Sequence, residues 1–123
     1  MQTPFAPPGW PGEVRPPDAP EWEATAVAWL LDLCPPDWRG YPALRRHALV
    51  LARFAVIHVE AGQAAAKRGL AEARVELRDL VALDVVEAAV QTWLREEARL
   101  LGTRRAVGLV EEALRGRRFR PRL

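Results

Sequence analysis

The sequence predicts an all-α fold: a three-helix bundle with a long antiparallel helical hairpin (about 42–80 and 85–115), a shorter first helix (about 20–33) and an extended Pro-rich N-terminal arm. Three observations predict it. No proline occurs between Pro42 and Pro121, so nothing in that stretch forbids long helices. Val86, Trp93, Leu100, Val107 and Leu114 recur at intervals of seven, the spacing of a helix–helix seam. Half of the 123 residues are hydrophobic, enough for a real core in a chain of one-domain length. The organisation that follows is a Pro-rich arm over 1–19, a helical domain over 20–115 and an Arg-rich C-terminal tail over 116–123.

Residues 1–20 hold seven of the eleven prolines. They exclude a helix and favour an extended or polyproline II path. Phe5, Trp10 and Val14 punctuate the arm, which marks it as a segment that docks rather than a solvated linker. Its PxxP spacings are a weak ligand signal, since any proline-dense arm produces them by chance.

The first helix is expected from about Pro20 to Leu33. Asp18 with Glu21 has capping-box spacing, and Pro20 is tolerated in a first turn. Trp22, Ala26, Trp29 and Leu33 make one apolar stripe. CPPDWRGYP over 34–42 ends the helix, with Trp38 and Tyr41 expected to pin the loop to the body. Pro42 suits the first position of the second helix. Gly62 and Gly69 each weaken that helix by about 1 kcal/mol relative to Ala, so a break at Gly69 is the alternative. Asp84 with Glu87 repeats the capping-box spacing, which places a turn at 81–84 and the third helix from 85. Val90, Leu94, Leu101 and Val110 widen its seven-residue stripe, while Glu97, Arg104 and Glu111 leave the opposing positions polar. Gly102 and Gly108 are candidate break points, Gly102–Thr103 foremost.

The second helix raises the central packing question. Arg46, Arg53, Glu60, Lys67 and Arg74 drift by about 20° per step and form one narrow polar stripe. Through 48–62 the rest of the circumference, roughly 280°, is apolar, against about 100° or a little more for an ordinary surface helix. Such a helix wants three neighbours. The first and third helices are two. The third is either the arm, through Phe5, Trp10 and Val14, or a second copy of the chain. Leu51, Phe54, Ile57 and His58, with Phe5 and Trp10, therefore form the expected oligomer or arm-docking surface. Alanines at 48, 52, 55, 61, 64, 65 and 66 permit close helix approach.

Chemistry is sparse. His47 and His58 sit eleven residues apart, about 16 Å along a helix axis, too far to share a metal. No HxxxH, ExxH or CxxC pattern supports a metal site. Cys34 is alone, so no internal disulfide forms, and its place at a helix C-terminus reads as a buried small hydrophobe rather than a nucleophile. Glu96–Glu97 and Glu111–Glu112 are neighbours in sequence only. No phosphate loop or GxSxG appears. No catalytic residue, cofactor, metal or small-molecule ligand is indicated.

Charge is uneven. Residues 1–101 carry 11 basic and 14 acidic groups, and residues 102–123 carry seven Arg and two Glu. The tail RGRRFRPRL offers Arg115, Arg117, Arg118, Phe119, Arg120 and Arg122 for a partner or for phosphate, since guanidinium with an aromatic suits both. Docking onto acidic residues of the chain itself, or a solvated tail beside a helix C-terminus, is the plainer alternative. The N-terminus lacks the pattern of a secretory signal. The apolar stretch at 48–62 reads as too short and too interrupted for a membrane span. The expectation is a soluble, cytoplasmic, non-catalytic interaction or scaffold protein. It partners itself, as a dimer, or another protein; nucleic acid bound through the tail is the alternative.

Overall fold

A computed structural model describes residues 4–122; residues 1–3 of the arm and Leu123 of the tail lie outside the described residues. The fold is all-α. In chain order it comprises α1 (Trp22–Leu33), a 3-10 turn (Pro36–Gly40), α2 (Pro42–Arg46), α3 (Ala48–Leu77) and α4 (Leu83–Leu114), with the two long helices packing together. The chain divides into two compact units. The first runs to His58 and resumes at Arg105, and the second is Val59–Arg104.

In the first unit the arm is not extended. Backbone N–H groups of Trp10, Val14, Ala19 and Trp22 donate to the carbonyls of Pro7, Pro11, Pro16 and Ala19, making four successive turns. Three of them place proline second and a left-handed residue third: Pro8–Gly9, Pro17–Asp18 and Pro20–Glu21, with φ of 91°, 71° and 66°. That is type II turn chemistry, in which proline presets the one angle and the next residue takes positive φ. The prolines that suggested polyproline II fold the arm back on itself instead. The same turns remove the expected capping box. Glu21 is the left-handed residue that opens α1, and no side chain caps that helix. Asp18 is committed elsewhere. α1 buries Trp22, Ala26, Leu30 and Leu31, so the expected stripe holds at its start and then rotates away from Trp29 and Leu33.

The second helix does not start at Pro42 and run on. His47 is extended (φ −127°, ψ 92°), which separates a five-residue α2 from α3. No glycine or proline marks this break, and Leu44 before it and Leu51 after it are both buried. His47 therefore lies outside the helix, exposed, with its carbonyl accepting the N–H of Leu51. Of the two loop aromatics, Trp38 packs edge-on against Phe54 and His58, at 5.6 and 5.5 Å between ring centroids. Tyr41 is exposed and pins nothing. α3 buries Leu51, Ala52, Ala55 and Val56 here, and α4 buries Ala106, Val107, Val110 and Ala113.

In the second unit α3 continues without a break through Gly62 and Gly69, and α4 runs through Gly102 and Gly108 to Leu114. The reason is spatial. A Cβ on Gly69 would lie 2.1 Å from Cε2 of Trp93, and one on Gly62 would lie 3.4 Å from Cδ1 of Leu100. Both glycines are sockets for large side chains, and both stay helical because the seam repays their poor propensity. The seam is asymmetric: Val59, Ala66 and Ala73 on α3 are buried, as are Val86, Val90 and Leu100 on α4. The seven-residue register of α4 thus holds, but Leu94 and Leu101, expected to widen it, are exposed. α4 begins at Leu83, two residues before the expected start, so Asp84 lies inside its first turn and accepts from the N–H of Val85 rather than capping from outside. Glu87 pairs with Arg74 instead of closing a capping box.

The polar stripe of α3 serves the hairpin. In the first unit Arg53 donates to both carboxylate oxygens of Glu111, at 3.1 and 3.0 Å. In the second, Arg104 reaches Glu60 at 3.2 Å and Arg74 grips Glu87 through two bonds of 2.9 Å. Two of the three polar positions of α4 that weakened its reading as a coiled coil, Arg104 and Glu111, are partners of that stripe.

Candidate functional site

The expected surface on α3 is partly displaced. Leu51 is fully buried and belongs to the core. His58 is half-buried beneath Trp38. Phe54 and Ile57 remain 45% and 59% exposed, next to exposed Val50 and Leu49. On a helix, residues 50, 54 and 57 fall on one face, and on α3 it is the face away from Ala52, Ala55 and Val56. The expectation left two covers for this helix, the arm or a second copy, and within one copy the rod has a wetted flank. What survives of that argument is the flank's composition. An exposed Phe, Ile, Val and Leu beside the Trp38 ring form a contiguous apolar patch, of the sort monomers keep small.

The described part of the arm, from Pro4, packs elsewhere. Its Gly9 backbone lies against Arg105 and Leu109 of α4. Trp10 packs edge-on against Phe119 at 6.2 Å and donates its indole N–H to the carbonyl of Val14 at 2.8 Å. Val14 is buried, Phe5 is half-buried, and the N–H of Arg15 donates to the Thr25 hydroxyl. The arm docks on α4 and the tail rather than on the Phe54–Ile57 flank.

The tail is mostly spoken for. α4 ends in a Schellman arrangement: Gly116 has φ 102°, its N–H donates to the carbonyl of Ala113, and the N–H of Arg117 donates to that of Glu112. Arg115 reaches Glu111 at 3.5 Å and Arg117 pairs with Glu112 at 3.2 Å while lying 5.4 Å from the Phe119 centroid. Arg118 is the keystone. Its guanidinium grips Asp18 at 2.7 and 3.0 Å, donates to the carbonyl of Ala113 at 2.9 Å, and sits 5.6 Å from the Trp22 ring. The hydrogen bond from Arg118 holds the Asp18 carboxyl below the ordinary carboxylate range, and the same bond raises Arg118 further. Self-docking is thus the tail's observed state from Arg115 to Phe119. Arg120 and Arg122 are exposed and make no ion pair among the described residues.

Among the described residues no group of three or more His, Cys, Asp or Glu side chains is placed to hold a metal. Burial pushes the Cys34 thiol up to about 11, so at neutral pH it is a protonated core side chain and a poor nucleophile.

Two features escaped sequence reasoning. α3 is longer than the apolar core read at 48–62. Over its most apolar 18 residues it reaches a mean hydropathy of 1.3, and 28% of that window is buried, so by length and composition alone it is long and apolar enough to cross a membrane. The second feature is the hairpin tip. Val75, Leu80, Val81, Leu83 and Val85 are all exposed there, Leu80 and Leu83 at 77% and 75%. The signal was present as RDLVALD, a turn without Gly, Pro, Asn or Ser, where turns are ordinarily polar. No protein family, curated protein or solved structure matches the chain.

Proposed function

We propose that this chain is a non-catalytic helical interaction or scaffold protein that self-associates through the α3 flank around Val50, Phe54 and Ile57. One observation carries the reading: these apolar side chains stay exposed on α3 while the arm that might have covered them docks on α4. A two-fold pairing of this flank with its copy is isologous and closes at a dimer. Three half-exposed side chains per copy are little area to set against association costs of about 4–15 kcal/mol, so the dimer is weak.

A second copy suits this flank better than a bilayer. The two charged side chains within the apolar stretch, Arg53 and Glu60, are tied to Glu111 and Arg104 on α4, so α3 would enter lipid only by breaking both pairs. Nucleic acid fits less well than protein, because Phe119 already packs on Trp10 and Arg117, and base stacking needs a free ring.

Sedimentation velocity over a concentration series tests the reading. The wild type should shift from monomer toward dimer. Phe54→Glu and Ile57→Glu should stay monomeric with unchanged helical circular dichroism. A monomer at every concentration, or a dimer indifferent to both substitutions, overturns it. Co-sedimentation with lipid vesicles in place of self-association would assign the flank to membranes. Salt-sensitive binding to DNA or RNA, lost when residues 115–123 are deleted, would move the function to the tail.

A further inference from the structure

The hairpin tip carries exposed apolar residues, two of which, Val75 and Leu83, line a cavity. This cavity of about 300 Å³ opens between the end of α3 and the start of α4, lined by Arg74, Val75, Arg78, Leu83, Val86 and Glu87. That size lies at the bottom of the range for small-molecule pockets and suits one or two side chains of a peptide. Around it the charges do not balance. Arg74 and Glu87 neutralise each other, and Glu72 is held by Arg68. Glu76, Asp79 and Asp84, exposed and outside the cavity lining, outnumber Arg78 within it, and none of these four forms an ion pair among the described residues. The tip is an apolar surface with an excess of two negative charges.

The occupant such a surface selects is a short basic segment with an apolar residue in it. The same chain carries one. Arg120–Pro121–Arg122 follows the clasped part of the tail, is exposed throughout, and holds two guanidinium groups outside any ion pair among the described residues. Its charge of +2 answers the tip's −2. Proline fixes the segment in an extended form that loses little entropy on docking. We propose that the hairpin tip of one copy binds the Arg120–Pro121–Arg122 segment of another, with Pro121 against Leu80 and Leu83 and the guanidiniums on Asp79 and Asp84. The two halves of this contact are different surfaces, so the contact is heterologous and propagates into chains of copies instead of stopping at a pair. It does not rest on the flank dimer.

A mixing experiment tests it, run with Ile57→Glu in every chain so that flank pairing is silent. One variant adds Asp79→Arg and Asp84→Arg; the other adds Arg120→Asp and Arg122→Asp. All four sites are exposed, and circular dichroism checks the fold. The Ile57→Glu parent should grow in mass with concentration at low salt, and growth should weaken several-fold in salt of about 0.5 M, where screening is short-ranged. Each charge variant alone should stay monomeric. Mixed, the two stay apart only if the contact is absent. With the contact, the tip of the tail variant meets the tail of the tip variant, and a one-to-one complex forms. No complex in the mixture, or growth that survives truncation after Phe119, overturns the proposal. So does growth that is lost in the tip variant but kept in the tail variant, which would mean that tips pair with tips.

Discussion

The two compact units are held by different kinds of contact. The first is stitched from irregular pieces: three proline-led turns, a Trp10–Phe119 pair, and one arginine, Arg118, that serves Asp18, Ala113 and Trp22 together. The second is two helices and a turn, held by a seam in which small residues of α3 receive large residues of α4. The first unit spends polar and aromatic side chains on its loops and leaves a modest apolar flank. The second closes a seam and leaves its turn apolar. Stability in the second unit should therefore depend on volume, and in the first on hydrogen bonds and backbone conformation.

The sharpest way to break that contrast is to fill a socket. Gly69→Ala improves helix propensity by about 1 kcal/mol, yet its methyl would overlap the Trp93 indole. Overpacking costs typically 1–3 kcal/mol, and at 2.1 Å the cost belongs at the top of that range. Urea titration should show a net loss of about 2 kcal/mol. In a Trp93→Leu background the same substitution should become neutral or favourable. If Gly69→Ala stabilises the wild-type chain, the socket does not exist.

Next in size is the buried carboxylate of the first unit. Glu111 is 8% exposed and accepts from Arg53 and Arg115. Both arginines are roughly half-exposed, so they recover water when it is removed, and the penalty falls short of a fully buried pair. Glu111→Ala should cost about 1–2 kcal/mol. Glu111→Gln should cost less, because one acceptor oxygen remains. Equal costs would show that shape, not the hydrogen bonds, matters at this position.

How far this was legible in the sequence differs between the units in the same way. The seven-residue register from Val86 to Leu114 and the polar stripe from Arg53 to Arg74 are periodic and were legible, while the pairing of Arg53, Glu60 and Arg74 with α4 was not. The helix was read as continuing through Gly62 and Gly69, and it does; that the two glycines are sockets was not legible, because propensity is a local quantity and Trp93 is distant in sequence. The arm was misread for a related reason. Proline fixes its own φ, but whether the next residue turns left-handed depends on what the turn must reach, here Arg118 a hundred residues on. The break at His47 carries no local signal. Of the candidate site, Phe54 and Ile57 were legible as apolar positions, while Leu51 shares their composition and differs only in which way it faces.

Backbone conformation gives smaller effects of opposite sign. Glu21 holds φ at 66°, a region costly to any residue with a Cβ and more so to Glu than to Asp. It is exposed, so Glu21→Gly should stabilise by about 0.5–1 kcal/mol. Gly102→Ala should stabilise by a similar or slightly smaller amount, since nothing lies within 4 Å of the added methyl in the middle of α4. Thermal melts check both. A destabilised Gly102→Ala would mean that this face of α4 is occupied by something outside the single chain, which would bear directly on assembly.

The smallest effect separates the units by acid. Hydrogen bonds from arginine hold Asp18 in the first unit and Glu87 in the second below their ordinary values. A depressed native pKa means that the unfolded chain binds the proton first as pH falls. The stabilisation from each pair is therefore complete above the ordinary carboxylate range near pH 4 and fades as pH drops through the native value. Both pairs are exposed, so the effect is small and salt weakens it. Asp18→Asn and Glu87→Gln should each melt slightly below wild type at pH 6, with the gap closing as pH falls below the ordinary carboxylate range. Their consequences should then diverge. Glu87→Gln leaves a seam that does not need the pair. Asp18→Asn removes the anchor of Arg118, which also bridges to Trp22 and Ala113, so the arm should become sensitive to protease and the Trp10–Phe119 contact should loosen. Equal protease resistance in the two variants would show that the turns hold the arm without the clasp.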